Sequence, residues 1–424
     1  MRKISYFLLL MISFTLIFNK NVSAAPSVPD LEADGVVLMD ATTGKILYSK
    51  NSEKSLAPAS TTKVMTALLV LRNSKLDEKV TITKSATAVD GTRIGLIEGE
   101  VFTVKDLLYG MLLLSANDCA EALAEHVSGS KDAFVELMNK TAKELGANNT
   151  TFVNPSGLYE DDHKTTAYDL SLIMREVSKN QTFIDISRTP AYEFPASNIN
   201  GENHWADNKN ELIMKNNRYF YQYALTGKCG YTTPSKHTYT AVAEKDGQRL
   251  VATFLYSSSK DNYFREAKNL FEYGFNNFSL VKLYSKGEKL SDYTFNDSTT
   301  MPLLASDDIS YVCKKGDENS ITKSLDIEKK DLSNLSFTRD QEVLSASVSV
   351  NGQKYQNIRL SAGESREIKP VQKSFSDKLK EMKPELAAGG VAAVFLGFAL
   401  IRYRARIKKR KIKSRYSDII NKLD

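Results

Sequence analysis

Residues 57–70, Ala-Pro-Ala-Ser-Thr-Thr-Lys-Val-Met-Thr-Ala-Leu-Leu-Val, narrow what this chain can fold into more than any other stretch. Pro58 suits the entry turn of a helix, and the apolar residues that follow predict that the helix is buried. Ser60 and Lys63 are three residues apart, so a helix places them on one face. Burial and a second cation favour a neutral amine, which can take a proton from a serine. The alternative is a helix-capping serine followed by a solvated lysine.

The amino terminus reads as a leader that is removed from the mature protein. Arg2 and Lys3 precede an apolar run over residues 6–18, and small residues end at Ala24. This pattern is typical of a secretory signal peptide, here residues 1–24. We therefore expect the mature protein to begin near Ala25 and to work outside the cytoplasm.

A second apolar run, Leu386–Ile401, is followed at once by nine lysines and arginines. The run is short for a membrane span, but Tyr403 and the long cationic side chains can extend it to the interface. We predict a transmembrane helix at residues 386–403 in contact with membrane lipid and a basic cytoplasmic tail at 404–424. The part of the chain before residue 386 then lies on the extracellular side of a single-pass membrane protein. The alternative is a buried helix of the fold.

The net charge of +6 is concentrated at the two ends of the chain. Without the leader and the tail, 44 Lys and Arg remain against 49 Asp and Glu, a balance of about −5. This balance argues against a nucleic-acid partner. The four histidines lack metal-ligand spacing, so we expect no metal and no cofactor. The three cysteines leave at least one free thiol, which excludes a fully disulfide-stapled scaffold.

The order of predicted elements indicates an α/β (α+β) domain at residues 30–276. A hairpin at 35–50 leads into the Ser60 helix, and later helices precede a strand pair at 238–255 and a closing helix at 264–275. From residue 281 to 369 short alternating segments predict a small all-β domain without a functional cluster. Residues 370–385 form a linker.

Two further polar motifs lie at positions where their side chains could contact a substrate. Ser115 and Asn117 fall in the break between two apolar helices, where they either cap the break or point into a cleft. Lys228, Cys229 and Gly230 come at the edge of the predicted sheet, where the glycine would let a ligand approach the backbone. His163 is expected to fix a loop, because no carboxylate is placed to orient it as a base.

Ser-x-x-Lys, Ser-x-Asn and Lys-x-Gly occur here in the order found in penicillin-binding proteins and serine β-lactamases. With its flanks the chain resembles the D-alanyl-D-alanine carboxypeptidases of the low-molecular-mass penicillin-binding proteins. The supporting stretches are Leu56–Ser60, Gly110–Asp118, Phe152–Leu158 ahead of His163, and Glu272–Phe275. The resemblance implies a penicillin-binding/β-lactamase-like transpeptidase fold over residues 30–275. It extends to the β domain in size, position and character.

The resemblance also implies roles for individual residues. Ser60 would attack the terminal D-Ala–D-Ala bond of a peptidoglycan stem peptide, with Lys63 as general base. Ser115 would relay a proton to the leaving D-Ala. The expected substrate-binding residues are Asn117, Lys228, Cys229, Gly230 and Tyr231, and the amides of Ser60 and Tyr231 would form the oxyanion hole. β-Lactams would acylate the same serine.

Three departures from the family pattern lie on the side that recognises the substrate's terminal carboxylate. Cys229 replaces a threonine, Tyr263-Phe264 stands where an arginine commonly precedes phenylalanine, and Ser235-Lys236 replaces Ala-Gly. A thiol donates a weaker hydrogen bond than a hydroxyl. We therefore expect a competent site with altered carboxylate recognition. A catalytically weakened peptidoglycan-binding or regulatory homologue and, less favoured, a β-lactamase are the alternatives.

Overall fold

The computed structural model describes residues 28–199, 201, 203–368 and 384–420. The predicted leader at 1–24 and nearly all of the predicted linker, 370–383, lie outside these residues. The described chain divides into two compact units. The larger contains the described residues up to Lys289 together with 304–328 and 344–360. The smaller contains 290–303, 329–343 and the described residues from 361 onward.

A five-stranded antiparallel sheet is the centre of the larger unit. Its order is β2-β1-β9-β8-β7, where the strands are β1 (Gly35–Asp40), β2 (Ile46–Lys50), β7 (Ala224–Thr232), β8 (Lys236–Lys245) and β9 (Gln248–Ser257). Every residue of β1 is buried, because both faces of the sheet are covered. The edge position of β7 places Lys228–Gly230 where the sequence predicts them.

Helices cover both faces of this sheet. Alternate residues of β1 divide between two apolar clusters, Val37 and Met39 on one face and Val36 and Leu38 on the other. The first face packs against α1 (Lys63–Asn73), α3 (Val104–Tyr109), α4 (Asn117–Ser128), α5 (Lys131–Glu144), α6 (Ala167–Val177) and α7 (Gln181–Arg188), and the second against α8 (Lys260–Asn277). The remaining short elements there are α2 (Lys84–Thr87), β3 (Lys79–Thr81), β4 (Val101–Thr103), β5 (Ala191–Glu193) and β6 (Trp205–Asp207).

The observed helices differ from the predicted ones mainly at their ends. α4 begins at Asn117 instead of Cys119, so Asn117 lies in its first turn. After α3 the chain continues as a π-helical turn, Gly110–Leu114, and stops at Ser115. The sequence reading missed α7, which spans only eight residues and is capped by Asn180.

The C-terminal region after α8 is built from strands, as expected. They are β10 (Phe278–Tyr284), β11 (Lys289–Thr294), β12 (Thr300–Ala305), β13 (Ile309–Lys314), β14 (Lys323–Ile327), β15 (Glu342–Val350) and β16 (Gln353–Ala362). Within the larger unit β10 pairs with β13 and β14 with β15, both antiparallel. In the smaller unit Phe295 stacks on Phe337 and lies under the Arg366 guanidinium.

The last described element is a long helix, α9 (Pro384–Ile420), which includes the predicted span at 386–403. Several of its large apolar side chains, among them Phe395 and Ile401, are exposed. Across the part of the chain that the structure describes, no helix is both long enough and apolar enough to cross a membrane. The side chains of 386–392 and of 412–420, and residues 421–424, lie outside that part.

Candidate active site

Ser60 lies in a 3-10 turn, Ala59–Thr62, that leads directly into α1. Ala59 adopts φ +49°, a left-handed conformation that is uncommon outside glycine. The loop around Gly157 packs against this turn so closely that a Cβ on Gly157 would lie 1.9 Å from the Ala59 carbonyl oxygen. Gly157 itself has φ +84°. The serine is therefore presented on a tight turn that only a glycine opposite can accommodate.

Lys63 is fully buried, and its Nζ has three close oxygen neighbours. It lies 3.1 Å from Ser60 Oγ, 2.7 Å from Asn117 Oδ1 and 2.6 Å from the Ser156 carbonyl oxygen. The amide and carbonyl oxygens can only accept hydrogen bonds. A neutral amine has two N–H groups for these two acceptors and one lone pair for the Ser60 hydroxyl. In its neutral form Lys63 can therefore keep both acceptors and still take the proton of Ser60, whose Oγ lies 3.1 Å away.

Burial is also the main reason why the pKa of Lys63 lies well below that of an ordinary lysine. The positive charge of Lys228 lowers this pKa further, whereas Cys119 and Asp118 raise it. Burial lowers the pKa of Lys228 as well. The site thus contains two buried lysines, and the positive charge of Lys228 favours the neutral, deprotonated form of Lys63.

Ser115 and Lys228 form the second pair of the site. Ser115 follows the π-helical turn and ends it in the left-handed conformation, with φ +71°. Lys228 Nζ donates to Ser115 Oγ at 2.9 Å and to the Cys229 carbonyl oxygen at 3.0 Å. The Ser115 hydroxyl proton is not used in the contact with Lys228. It can be offered to a leaving amine.

Asn117 connects the site to the loop between α2 and β4. Its Oδ1 accepts from Lys63, while its Nδ2 donates to the Asp90 carbonyl at 2.6 Å and its backbone N–H to Thr92 at 2.6 Å. A second amide hydrogen on Nδ2 can still reach a substrate carbonyl. The buried carboxylate of Asp118 accepts from three consecutive backbone N–H groups of the same loop, Ile94–Leu96.

Gly230 brings strand β7 against the nucleophile. A Cβ on this residue would lie 2.6 Å from Ser60 N and 2.6 Å from Thr238 Oγ1. The side of Gly230 on which a Cβ would project is therefore filled by the Ser60 turn and Thr238, so any larger residue here would push β7 away from the nucleophile. Tyr231 follows at the strand end with its ring 55% exposed.

The Cys229 thiol is half-buried and already has protein partners. It donates to the Lys209 carbonyl at 3.4 Å and interacts with the hydroxyl of Tyr263. Tyr263 is 3% exposed and stacks on Tyr239, and burial raises its pKa. Arg265, two residues later, is exposed and donates to Asn262 of its own helix. Two of the departures from the family pattern therefore contact each other.

His163 lies behind the Ser60 turn. The Val153 N–H approaches Nδ1 at 3.4 Å, so Nε2 carries the proton and donates to Thr62 Oγ1 at 2.8 Å. Burial lowers the pKa of His163 to about 4. The ring therefore stays neutral and holds the loop, as the sequence predicts.

Sequence reasoning did not identify the groups that support these side chains. Asp118 directly follows the Ser-x-Asn motif, but its partners are more than twenty residues earlier in the chain. Asn154 orders the loop that supplies the Ser156 carbonyl, since its Oδ1 accepts from Gly157 N at 2.7 Å. The only signal for this loop was its motif, Asn-Pro-Ser-Gly-Leu.

Comparison with known families gives two adjacent matches. Residues 21–259 match the peptidase S11 family, described as D-alanyl-D-alanine carboxypeptidase. Residues 278–367 match the family described as penicillin-binding protein 5, C-terminal domain. The first match covers more than half of the chain.

Individual relatives agree with these families. D-alanyl-D-alanine carboxypeptidase DacF of Bacillus subtilis is 34% identical over 333 residues, 74% of this chain and 84% of that protein. The D-alanyl-D-alanine carboxypeptidase of Streptomyces sp. K15 is 33% identical over 60% of this chain and 90% of its own length. The crystal structure of penicillin binding protein 5 from Haemophilus influenzae superposes with a TM-score of 0.68 at 25% identity, over 80% of this chain and 98% of that one.

Proposed function

Because the chain belongs to the D-alanyl-D-alanine carboxypeptidase family of serine peptidases, we propose that it removes the terminal D-Ala from peptidoglycan stem peptides through an acyl-enzyme on Ser60. The contact between Lys63 Nζ and Ser60 Oγ carries this proposal. A serine at hydrogen-bond distance from a buried neutral amine is a nucleophile, and the amine is its general base.

Acylation begins when Lys63 takes the Ser60 proton and Oγ attacks the carbonyl of the terminal peptide bond. The tetrahedral oxyanion is stabilised by the backbone N–H groups of Ser60 and Tyr231. The close approach of Gly230 to Ser60 N supports this pairing of strand and turn. Ser115 gives its hydroxyl proton to the leaving D-Ala amine and takes up the proton that Lys63 removed from Ser60, while Lys228 supports the Ser115 oxygen. Asn117 holds the substrate amide.

Deacylation reverses these proton transfers with water as the nucleophile. Lys63, neutral again once its proton has passed to Ser115, takes a proton from this water and returns it to Ser60 Oγ as the ester bond breaks. The nearby charge of Lys228 disfavours the ammonium form of Lys63 and so assists the return of the proton. A β-lactam enters the same sequence, because its ring carbonyl takes the place of the peptide carbonyl.

Recognition of the substrate's terminal carboxylate is altered in this chain. The Cys229 thiol donates to Lys209 rather than offering a hydroxyl, and Tyr263 is packed in an aromatic cluster. A charge-assisted hydrogen bond from a hydroxyl or a guanidinium is stronger than one from a thiol. The carboxylate therefore contributes less binding energy at Cys229 than it would at a threonine.

The protein is exported and held at the membrane by its C-terminus. The pattern of the first 24 residues supports export, and exposed apolar residues of α9 followed by clustered cations support attachment to an anionic bilayer. Fractionation of cells that express the full chain tests this proposal: the protein should sediment with membranes, and a chain ending at residue 368 should be released.

The activity is tested by mass spectrometry of a D-Ala–D-Ala peptide incubated with the protein. Loss of one alanine residue is expected with the wild type and not with Ser60→Ala. An uncleaved peptide with both proteins would instead favour a peptidoglycan-binding or regulatory homologue.

A further inference from the structure

Asn117 takes its orientation from the loop formed by residues 90–96. Its Nδ2 donates to the Asp90 carbonyl and its backbone N–H donates to the Thr92 carbonyl, each at 2.6 Å. With Nδ2 held on the loop, Oδ1 faces Lys63 Nζ at 2.7 Å. The position of this loop therefore determines which end of the Asn117 amide meets the general base.

Asp118, the next residue of α4, holds the other half of the same loop. Its carboxylate is fully buried and accepts from three consecutive backbone N–H groups, Ile94–Leu96, at 3.3, 3.0 and 3.1 Å. The Cys119 N–H, within the helix, is a fourth donor at 3.0 Å. Buried charges persist where hydrogen bonds of this kind satisfy them. Because three of the four donors belong to the loop, Asp118 fastens the loop to α4 as well as stabilising the first turn of its own helix.

The loop is exposed and contains two glycines in the left-handed region. Residues 90–93 and Gly95 are exposed, and Gly91 and Gly95 have φ +85° and +88°. A Cβ on Gly91 would lie 2.7 Å from Asn117 Nδ2. Exposed backbone of this kind opens at low free energy unless other contacts hold it. The buried Asp118 carboxylate is therefore an anchor for the loop.

Asp118 also acts on Lys63 through its charge. Among the described residues, the titratable groups that face Lys63 are Lys228 on β7, Cys119 and Asp118 on α4, and His163 behind the nucleophile turn. Burial keeps the thiol and the imidazole neutral, because it raises the pKa of Cys119 and lowers the pKa of His163. Burial is also the main cause of the low pKa of Lys63; of the two charges around it, Lys228 lowers this pKa further and Asp118 raises it.

We propose that Asp118 is a positioning residue of the reaction, which fixes the Asn117 amide by fastening the loop at residues 94–96. Asn117 then keeps Oδ1 on Lys63 and its second Nδ2 hydrogen for the substrate amide. Without this anchor the Asn117 amide can rotate and present a donor to an amine that needs an acceptor. The inference rests on the proposed carboxypeptidase function and adds to it a fully buried residue that acts through Asn117.

The test measures the release of D-Ala from a D-Ala–D-Ala peptide as a function of pH, using the full chain in detergent. Asp118→Asn keeps the size of the side chain but replaces one acceptor oxygen with a donor that opposes the loop N–H groups. It should lower kcat about ten- to hundredfold with a smaller change in KM, because the general base and the substrate amide are misaligned in the transition state. The acid limb of the plot of kcat/KM against pH should move to lower pH, since the charge that raises the pKa of Lys63 is gone.

Asp169→Asn is the matched control. Asp169 is also buried in the first turn of a helix, α6, and its carboxylate also holds a loop, through the Asn149 N–H at 2.7 Å and the Thr150 hydroxyl at 2.8 Å. This variant should lose a comparable free energy of unfolding in urea, keep kcat within about twofold of the wild type and leave the acid limb in place. A purely structural role of Asp118 would make the two variants behave alike, and that result would overturn the proposal.

Gly95→Ala tests the same anchor from the loop side and leaves the Asp118 charge in place. The φ of +88° is strained for alanine, while its Cβ would meet nothing within 4 Å, so the loop is disturbed without a clash. It should lower kcat about three- to tenfold and leave the acid limb where it is. Wild-type kcat in this variant, or an unmoved acid limb in Asp118→Asn, would overturn the assignment. Absence of Ser60-dependent cleavage by the wild type would instead refute the proposed function on which the assignment rests.

Discussion

Replacing Cys229 with threonine should make the protein a faster carboxypeptidase. The thiol now donates to the Lys209 carbonyl at 3.4 Å and lies at the exposed edge of β7. A hydroxyl in this place is a stronger donor and can rotate towards a bound carboxylate. Hydrogen bonds to charged groups contribute about 1.5–3 kcal/mol, and partial exposure reduces this to about 1–2 kcal/mol. The expected gain in kcat/KM is therefore about five- to thirtyfold.

The assay is the steady-state release of D-Ala from a D-Ala–D-Ala peptide, with the terminal carboxamide as a second substrate. Cys229→Val is the matched control, because valine has the shape of threonine without its hydroxyl. It should remain within about twofold of the wild type. The reasoning is refuted if the threonine variant is unchanged or slower, or if valine gives the same gain. It is also refuted if the carboxamide gains as much as the acid.

Three further predictions follow from the same contacts. Lys228→Met removes a positive charge that lowers the pKa of Lys63. Because Lys63 must be neutral to act, the acid limb of the plot of kcat/KM against pH should move to higher pH. A shift of this limb to lower pH would contradict the account. Gly157→Ala should lower the free energy of unfolding in urea by at least about 2 kcal/mol, since φ is +84° and the new Cβ meets the Ala59 carbonyl, and an unchanged midpoint would show that the turn adapts. The wild type should lose free energy of unfolding as pH falls from 6.5 towards 4, because the pKa of His163 is about 4 in the folded state and the unfolded state binds the proton first. In His163→Asn the free energy of unfolding should depend less on pH in this range. An identical pH dependence in the two proteins would exclude His163 as its source.

The predicted penicillin-binding-protein fold with a C-terminal all-β domain is confirmed by the family matches and by the structural similarity. Local patterns explain why: the Ser60–Lys63 spacing lies within one helical turn, and the buried strands are continuous apolar runs. The exact start of α4 depends on how the break at Ser115 is closed. The sequence pattern does not contain that information, and it therefore predicts a start at Cys119, two residues later than the observed start at Asn117.

The remaining features depend on contacts between residues that are distant in the sequence. Ser115 and Lys228 are 113 positions apart, and nothing local brings the Cys229 thiol to Tyr263 or to the Lys209 carbonyl. The sequence likewise does not show that the Ser60 turn lies against Gly230, because that contact joins residues 170 positions apart. Periodicity identifies which face of an element is buried, but it does not identify which element covers that face.

The central claim is that Ser60 is the nucleophile, and acylation by benzylpenicillin tests it most directly. Intact-protein mass spectrometry should show the wild type gaining one penicillin, and peptide mapping should place the adduct on Ser60. Ser60→Ala should gain no mass under the same conditions. An unmodified wild-type protein, or an adduct on any other residue, would contradict the account.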